Sequence, residues 1–323
     1  MKKKRALITG ISGQDGSYLA EHLLSLGYEV HGIVRRHSVA ENQSHRLRHI
    51  SDKIETYYGD LLDYPSLIRI VQQVMPDEIY NLAAMSHVRI SYDMPSFTIQ
   101  TNALGVLNML EVYRTTVPHA KFYQASSSEM FGNSVDDDGI QRLTTAMCPV
   151  SPYGCAKVLG FNLVKHYRHA YGLHACNGIL FNHESPRRGS NFVTNKVVKT
   201  AVEIKKGITD KLELGNLDSY RDWGHSKDYV RAMHKIINHD VADDWTVATG
   251  ESRTIREMCD VTFSILDLDY RDHVTQDPRF FRPQELNFLR GDSSDIRTKL
   301  DWTPRYSFRA MVEEMVNHWM EKI

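Results

Sequence analysis

Tyr153-Gly154-Cys155-Ala156-Lys157 places a phenol and an ammonium group four residues apart. On a helix that spacing stacks both side chains on one face. A free phenol has a pKa near ~10 and is a poor base at neutral pH. A nearby ammonium stabilises the phenolate and lowers that value. Such a pair can exchange a proton with a substrate hydroxyl while hydride leaves the same carbon. Upstream, Ser126-Ser127-Ser128-Glu129 offers hydroxyls to relay that proton. Its carboxylate can remove a carbon-bound proton beside a newly made ketone. Each motif alone has an ordinary structural explanation, an exposed Tyr–Lys pair and a helix cap respectively.

Those side chains need a scaffold, and the chain alternates strand-like and helix-like stretches. Ala6–Thr9, Glu29–Val34, Ile54–Tyr58, Glu78–Leu82, Lys121–Ala125 and Ala175–Leu180 read as strands. Tyr18–Leu26 reads as an amphipathic helix stopped by Gly27. The pattern predicts an α/β fold, a Rossmann-type doubly wound parallel sheet with right-handed crossovers. Ser126–Glu129 then falls at the C-terminal edge of the sheet, where ligands bind in such folds.

Gly10-Ile11-Ser12-Gly13-Gln14-Asp15-Gly16 directly follows the first strand and opens the first helix. Glycines there let backbone N–H groups approach a pyrophosphate at the helix N-terminus. The second strand ends in Arg35-Arg36, where an NAD-binding fold would carry a carboxylate. Two guanidiniums suit a 2′-phosphate, so the predicted cofactor is NADP. After the third strand, Asp60-Leu61 can meet an adenine amino group. After the fourth, Leu82, Ala83 and Ala84 permit close backbone approach.

Beyond residue 180 the pattern changes. Asn182–Asn191 is polar, contains Pro186 and Gly189, and reads as a loop. Trp245–Thr249 reads as one more strand of the first sheet. The expected division is a dinucleotide-binding domain of residues 1–180 plus about 222–250, with a smaller discontinuous lobe of about 181–221 plus 251–323.

The 323 residues are 41% hydrophobic and 24% charged, with a formal net charge of −1. That balance argues against a nucleic-acid or membrane field across the chain. Cys148, Cys155, Cys176 and Cys259 form no CxxC pair, which fits a reducing compartment and a cytoplasmic location. No apolar run is long enough to span a membrane. No metal is expected: His183-Glu184 is followed by Arg187, where a zinc HExxH motif needs histidine.

Longer stretches carry a resemblance. Gly10–Leu19, Tyr123–Gly132, Gly178–Gly189, Arg221-Asp222-Trp223-Gly224 and Phe280-Phe281-Arg282-Pro283 make the chain resemble the extended short-chain dehydrogenases/reductases, and among them the GDP-mannose 4,6-dehydratase family. The resemblance implies that Tyr153 exchanges the 4-hydroxyl proton of a GDP-sugar while NADP takes the 4-hydride. It further implies that Glu129 removes the carbon-5 proton, water leaves carbon 6, and hydride returns there. Ser127 and Lys157 complete the implied catalytic set. His183 and Arg188 would contact NADP, Ser86 both ligands, and Asn182, Lys196, Arg221, Arg282 and Glu285 the GDP-sugar. The loop Arg35–Arg48, with His37, Arg46 and Arg48, would reach a neighbouring subunit's cofactor and help build a tetramer; the expected assembly is a homo-oligomer, dimer or tetramer. The family's usual residue at 127 is threonine, which leaves room for a GDP-mannoheptose substrate. A nucleotide-sugar 4-epimerase and a non-catalytic NADP-binding protein are the rival readings.

Overall fold

The computed structural model describes residues 3–36, 45–281 and 283–323. Two expected positions, His37 and Arg282, lie outside the described residues. Among those described, seven strands form one parallel sheet in the order β10-β6-β5-β4-β1-β2-β3. They are β1 (Arg5–Thr9), β2 (Glu29–Val34), β3 (Ile54–Tyr58), β4 (Glu78–Asn81), β5 (Lys121–Ser127), β6 (Ala175–Leu180) and β10 (Asp244–Val247). β6 is buried at every position, as a strand covered on both faces must be. The order reverses between β1 and β4, which opens a crevice beyond their C-terminal ends.

Among the described residues the α-helices are α1 (Gln14–Ser25), α2 (Tyr64–Val74), α3 (Val88–Asp93), α4 (Pro95–Ile99), α5 (Gly105–Thr116) and α6 (Pro152–Tyr171). They continue with α7 (Val193–Lys205), α8 (Ser226–Asn238), α9 (Ile255–Ile265), α10 (Ser294–Leu300) and α11 (Phe308–Lys322). α1, α8 and α10 cover one face of the sheet through Leu19, Leu23, Met233, Ile236 and Ile296. α2, α5 and α6 cover the other through Leu67, Ile70, Leu110 and Val164. α7, α9 and α11 form a separate core around Val198, Met258, Phe263 and Met315. Beside it run a sheet ordered β11-β9-β7 and the pair β12-β8. Those strands are β7 (Asn182–Glu184), β8 (Leu212–Leu214), β9 (Tyr220–His225), β11 (Ser252–Thr254) and β12 (Val274–Gln276).

Three differences from the sequence reading have local causes. α1 begins at Gln14 rather than Tyr18, because the glycine turn itself winds into the first helical turn. β5 runs on to Ser127, pairing Ser127 with Leu180 of β6. The segment expected as a loop starts as a strand, β7, because parallel pairing with Trp223–His225 satisfies its backbone. Trp245 does join the large sheet, through pairing with Gly178. Among the described residues, no helix is long and apolar enough to cross a membrane, and no group of three or more His, Cys, Asp or Glu could hold a metal ion.

Candidate active site

The turn after β1 is built by steric exclusion. Gly10 sits at φ +70°, where a side chain is disfavoured, and a Cβ there would lie 3.0 Å from the backbone of Ala83. Gly16 is tighter, since a Cβ would fall 2.3 Å from the carbonyl oxygen of Gly10. Thr9 ties this turn to the next strand: its Oγ1 accepts from the N–H groups of Leu82 and Ala83, both at 3.0 Å, and donates to Asn81 Oδ1 at 2.7 Å. Arg46 clamps the outside of the turn, donating to the carbonyl oxygens of Ser12 and Arg187.

α6 delivers Tyr153 and Lys157. Ser151 caps it by accepting from Gly154 N–H at 3.0 Å, and Pro152 occupies its first turn. Gly154 has a packing role, because a Cβ there would lie 2.8 Å from the carbonyl oxygen of Glu129. The start of α6 therefore presses on the turn that holds Glu129. Ser127 Oγ accepts the Glu129 N–H at 3.3 Å, so the hydroxyl caps that turn. It also hydrogen-bonds the Tyr153 phenol. Ser127, Glu129, Tyr153 and Lys157 are all buried.

Burial pushes the Tyr153 phenol up to about 12, against the pull of its hydrogen bond with Ser127; the Glu129 charge adds to the rise. The expected lowering by the helical neighbour is outweighed. Lys157 points past the phenol, donating to the carbonyl oxygen of Ala125 at 2.8 Å, and burial brings its ammonium down to about 8.

These groups share a cleft of about 1050 Å³ at the C-terminal edge of the sheet. Gly10, Ser12, Gly13, Gln14, Asp15, Gly16 and Arg35 line one end. Asp60, Leu61, Leu82, Ala83, Ala84 and Ser86 line the adjoining wall. Ser127, Glu129, Tyr153 and Lys157 lie with Asn182, His183 and Arg188, and the cleft continues past Lys196 and Arg221 to Glu285. Arg36 is exposed and does not line it. Asp60 uses Oδ1 to accept from Leu62 N–H at 2.9 Å.

Several fixtures were not legible from the sequence. The Arg188 guanidinium lies 3.6 Å from the ring centre of Phe192 and 3.0 Å from buried Glu184. Lys196 Nζ lies 3.6 Å from the ring centre of Phe280 and donates to the carbonyl oxygen of Glu213. Glu184 and Phe192 each lie four residues from Arg188 but outside any helix, and Glu213 and Phe280 are distant from Lys196 in sequence, so no helical periodicity marks these contacts. Gly154 could have been found, since a glycine between Tyr153 and the rest of its motif has no helical advantage. Arg221 Nη1 donates to the carbonyl oxygens of Tyr220 and Leu286. Asp222 turns the other way, towards Thr249, Gly250 and Gly291.

A glycine turn after β1, a sheet reversing beside it and a buried Tyr-x-x-x-Lys pair on α6 define an extended short-chain dehydrogenase/reductase. Among solved structures, UDP-glucose 4-epimerase from Thermus thermophilus in complex with NAD superposes with a TM-score of 0.85 at 24% identity, covering 99% of this chain and 100% of that one. The dTDP-glucose 4,6-dehydratase from Bacillus anthracis in complex with NAD gives 0.84 at 21% identity, covering 99% and 97%. The fold is thus common to epimerases and dehydratases. Sequence discriminates further: the model of the GDP-mannose 4,6 dehydratase family matches residues 7–315, and this chain belongs to that family. It is 46% identical to GDP-mannose 4,6 dehydratase 1 of Arabidopsis thaliana, over 99% of this chain and 90% of the relative. With GDP-mannose 4,6-dehydratase of Vibrio cholerae it shares 43%, over 97% and 93%.

Proposed function

We propose that this chain is an NADP-dependent dehydratase that converts GDP-mannose to GDP-4-keto-6-deoxy-mannose. One observation carries the reading: Ser127, Glu129, Tyr153 and Lys157 line a single cleft with the glycine turn. A 4-epimerase has no need of the carboxylate, and a non-catalytic binder needs none of the four.

The cleft suits a nicotinamide dinucleotide. The glycine turn excludes even a Cβ at Gly16, leaving backbone N–H groups at the start of α1 for a pyrophosphate. Arg35 lines the same end and suits a 2′-phosphate. Bound there, NADP supplies a hydride acceptor and, later in the cycle, a hydride donor. Tyr153 exchanges a proton with the sugar's 4-hydroxyl, and its hydrogen bond with Ser127 gives that proton a path. A 4-ketone acidifies carbon 5, so oxidation precedes elimination, and Glu129 takes the carbon-5 proton. Asn182 supports a polar ligand: its Oδ1 is buried without a hydrogen-bond partner among the described residues. Lys196 and Arg221 suit the diphosphate, and Glu285 suits guanine N–H donors.

The division of labour we favour gives the dinucleotide to residues 1–180 with about 222–250, and the GDP-sugar to the remainder. Met94, Ile99, Leu104 and Leu159 are exposed around α4–α5 and α6, and they supply an apolar face for a second copy of the chain. Free cysteines support a cytoplasmic location.

The deciding experiment incubates the purified protein with NADP and GDP-mannose and follows the product by mass spectrometry. Loss of one water supports the reading; an unchanged mass overturns it. Glu129→Gln is expected to stop water loss while sparing dinucleotide binding. Tyr153→Phe is expected to stop the initial oxidation.

A further inference from the structure

His183 lies between two oxygen acceptors. Its Nδ1 is 2.7 Å from the carbonyl oxygen of Phe181, and its Nε2 is 2.7 Å from Oδ2 of Asp15. A neutral imidazole has one N–H to give, so it satisfies one of these contacts and sets a lone pair against the other. The imidazolium satisfies both. The ring cannot turn away, because it stacks on Tyr229 with centroids 4.5 Å apart. Gln14 Nε2 also holds the His183 carbonyl oxygen at 3.1 Å.

Asp15 occupies the first turn of α1, at the end where an anionic pyrophosphate is proposed to sit. A bare carboxylate there would repel that group. From these contacts we infer that His183 is a positioning residue that carries two protons, cancels the Asp15 charge, and so keeps the glycine turn attractive to a dinucleotide. The inference rests on the cofactor reading above.

The groups facing the pair come from several elements. Asp15 lies on α1, Tyr229 on α8, Tyr123 on β5, Glu184 on β7, Arg188 beyond β7, and Lys157 and Tyr153 on α6. Burial disfavours the imidazolium and Arg188 opposes it, yet Asp15 and the Phe181 carbonyl leave the histidine above its ordinary value. Asp15 is held below its own ordinary value, although burial, its largest influence, raises it; His183 and Arg188 provide the opposing charge. The two directions agree on an ion pair.

Two measurements test this. The first needs no ligand: nitrogen-15 NMR of the histidine-labelled chain, with His183→Gln assigning the signal. The His183 imidazole is expected to keep both nitrogens protonated to a higher pH than an exposed histidine. A neutral tautomer at pH 7 overturns the inference and leaves the cofactor reading untouched. The second is NADP+ binding by titration calorimetry as pH rises. The parent should lose affinity as His183 deprotonates. His183→Gln should bind about tenfold more weakly with no such pH step. Adding Asp15→Asn to that variant should restore most of the affinity. Equal affinity and an equal pH profile in parent and His183→Gln overturn the inference. Absence of NADP+ binding in the parent overturns the cofactor reading and the inference with it.

Discussion

The ammonium of Lys157 donates to the carbonyl oxygen of Ala125 at 2.8 Å, while lying 5.6 Å from the ring centre of Tyr153. The lysine thus anchors α6 to the C-terminal end of β5, and it leaves the phenol to Ser127. Burial sets both groups against their usual charged forms, the phenol up to about 12 and the ammonium down to about 8.

Lys157→Met follows from that arrangement. The folded ammonium titrates near 8 and the unfolded one near 10.5. The unfolded chain therefore holds the extra proton between those values, and the penalty for burying Lys157 is complete below pH 8 and fades as pH rises to 10.5. Lys157→Met is expected to stabilise the fold at pH 7 by about 1–3 kcal/mol while turnover falls at least about 10²-fold. Thermal unfolding at pH 7 and pH 10 checks the sign, since the gain should shrink at the higher pH.

Ser127 serves both the phenol and the Glu129 turn. Ser127→Ala should lower kcat about 10²-fold with a smaller change in KM, whereas Ser127→Thr should keep most of the rate. Steady-state kinetics on GDP-mannose separates the two variants, and equal losses would contradict the hydroxyl's role.

Gly16→Ala puts a methyl group 2.3 Å from the Gly10 carbonyl oxygen and 2.6 Å from the Ile11 Cα. Both are backbone atoms of the turn, so the turn itself must shift. The expected outcome is a destabilisation of about 1–3 kcal/mol, together with loss of NADP+ binding. Urea unfolding and calorimetry report on each separately.

Asp222 accepts from Thr249 N and Oγ1, Gly250 N and Gly291 N, at 2.8, 2.6, 2.9 and 3.3 Å. Four donors point at two oxygens, so an amide in Asp222→Asn must face donors with a donor. A loss of about 1–3 kcal/mol is expected in urea unfolding. A neutral result would mean that the three segments hold together without this carboxylate.

Lys196 rides on Phe280, and both line the cleft that also holds the phenol. Lys196→Met keeps the packing and removes the charge. KM for GDP-mannose should rise about tenfold, with kcat within about twofold, as fits a contact equal in ground and transition states. A matching fall in kcat would place Lys196 nearer to the chemistry.

Much of this was written in the local sequence. The strands announced themselves by apolar runs, and the glycine turn by its place after the first of them. Ser127, Glu129, Tyr153 and Lys157 were readable because each sits at a strand end or on one helix face. What escaped has a common physical origin. β7 forms only because Asn182–Glu184 finds Trp223–His225, a pairing invisible to local composition. Phe280 holds the Lys196 ammonium, supplied from a distant part of the chain. The phenol's response to Lys157 was misjudged because spacing fixes which face a side chain takes, whereas depth of burial belongs to the whole molecule.

β10 is drawn from Asp244–Val247 yet lies against β6, which ends at Leu180. A ribosome must therefore release all of residues 181–243 before the sheet gains its last strand. Until then the fully buried strand β6 is itself the sheet's edge, and its amide and carbonyl groups on that side stand open to capture another chain. Cutting the gene after codon 180 would deliver an adhesive fragment in place of an independent module.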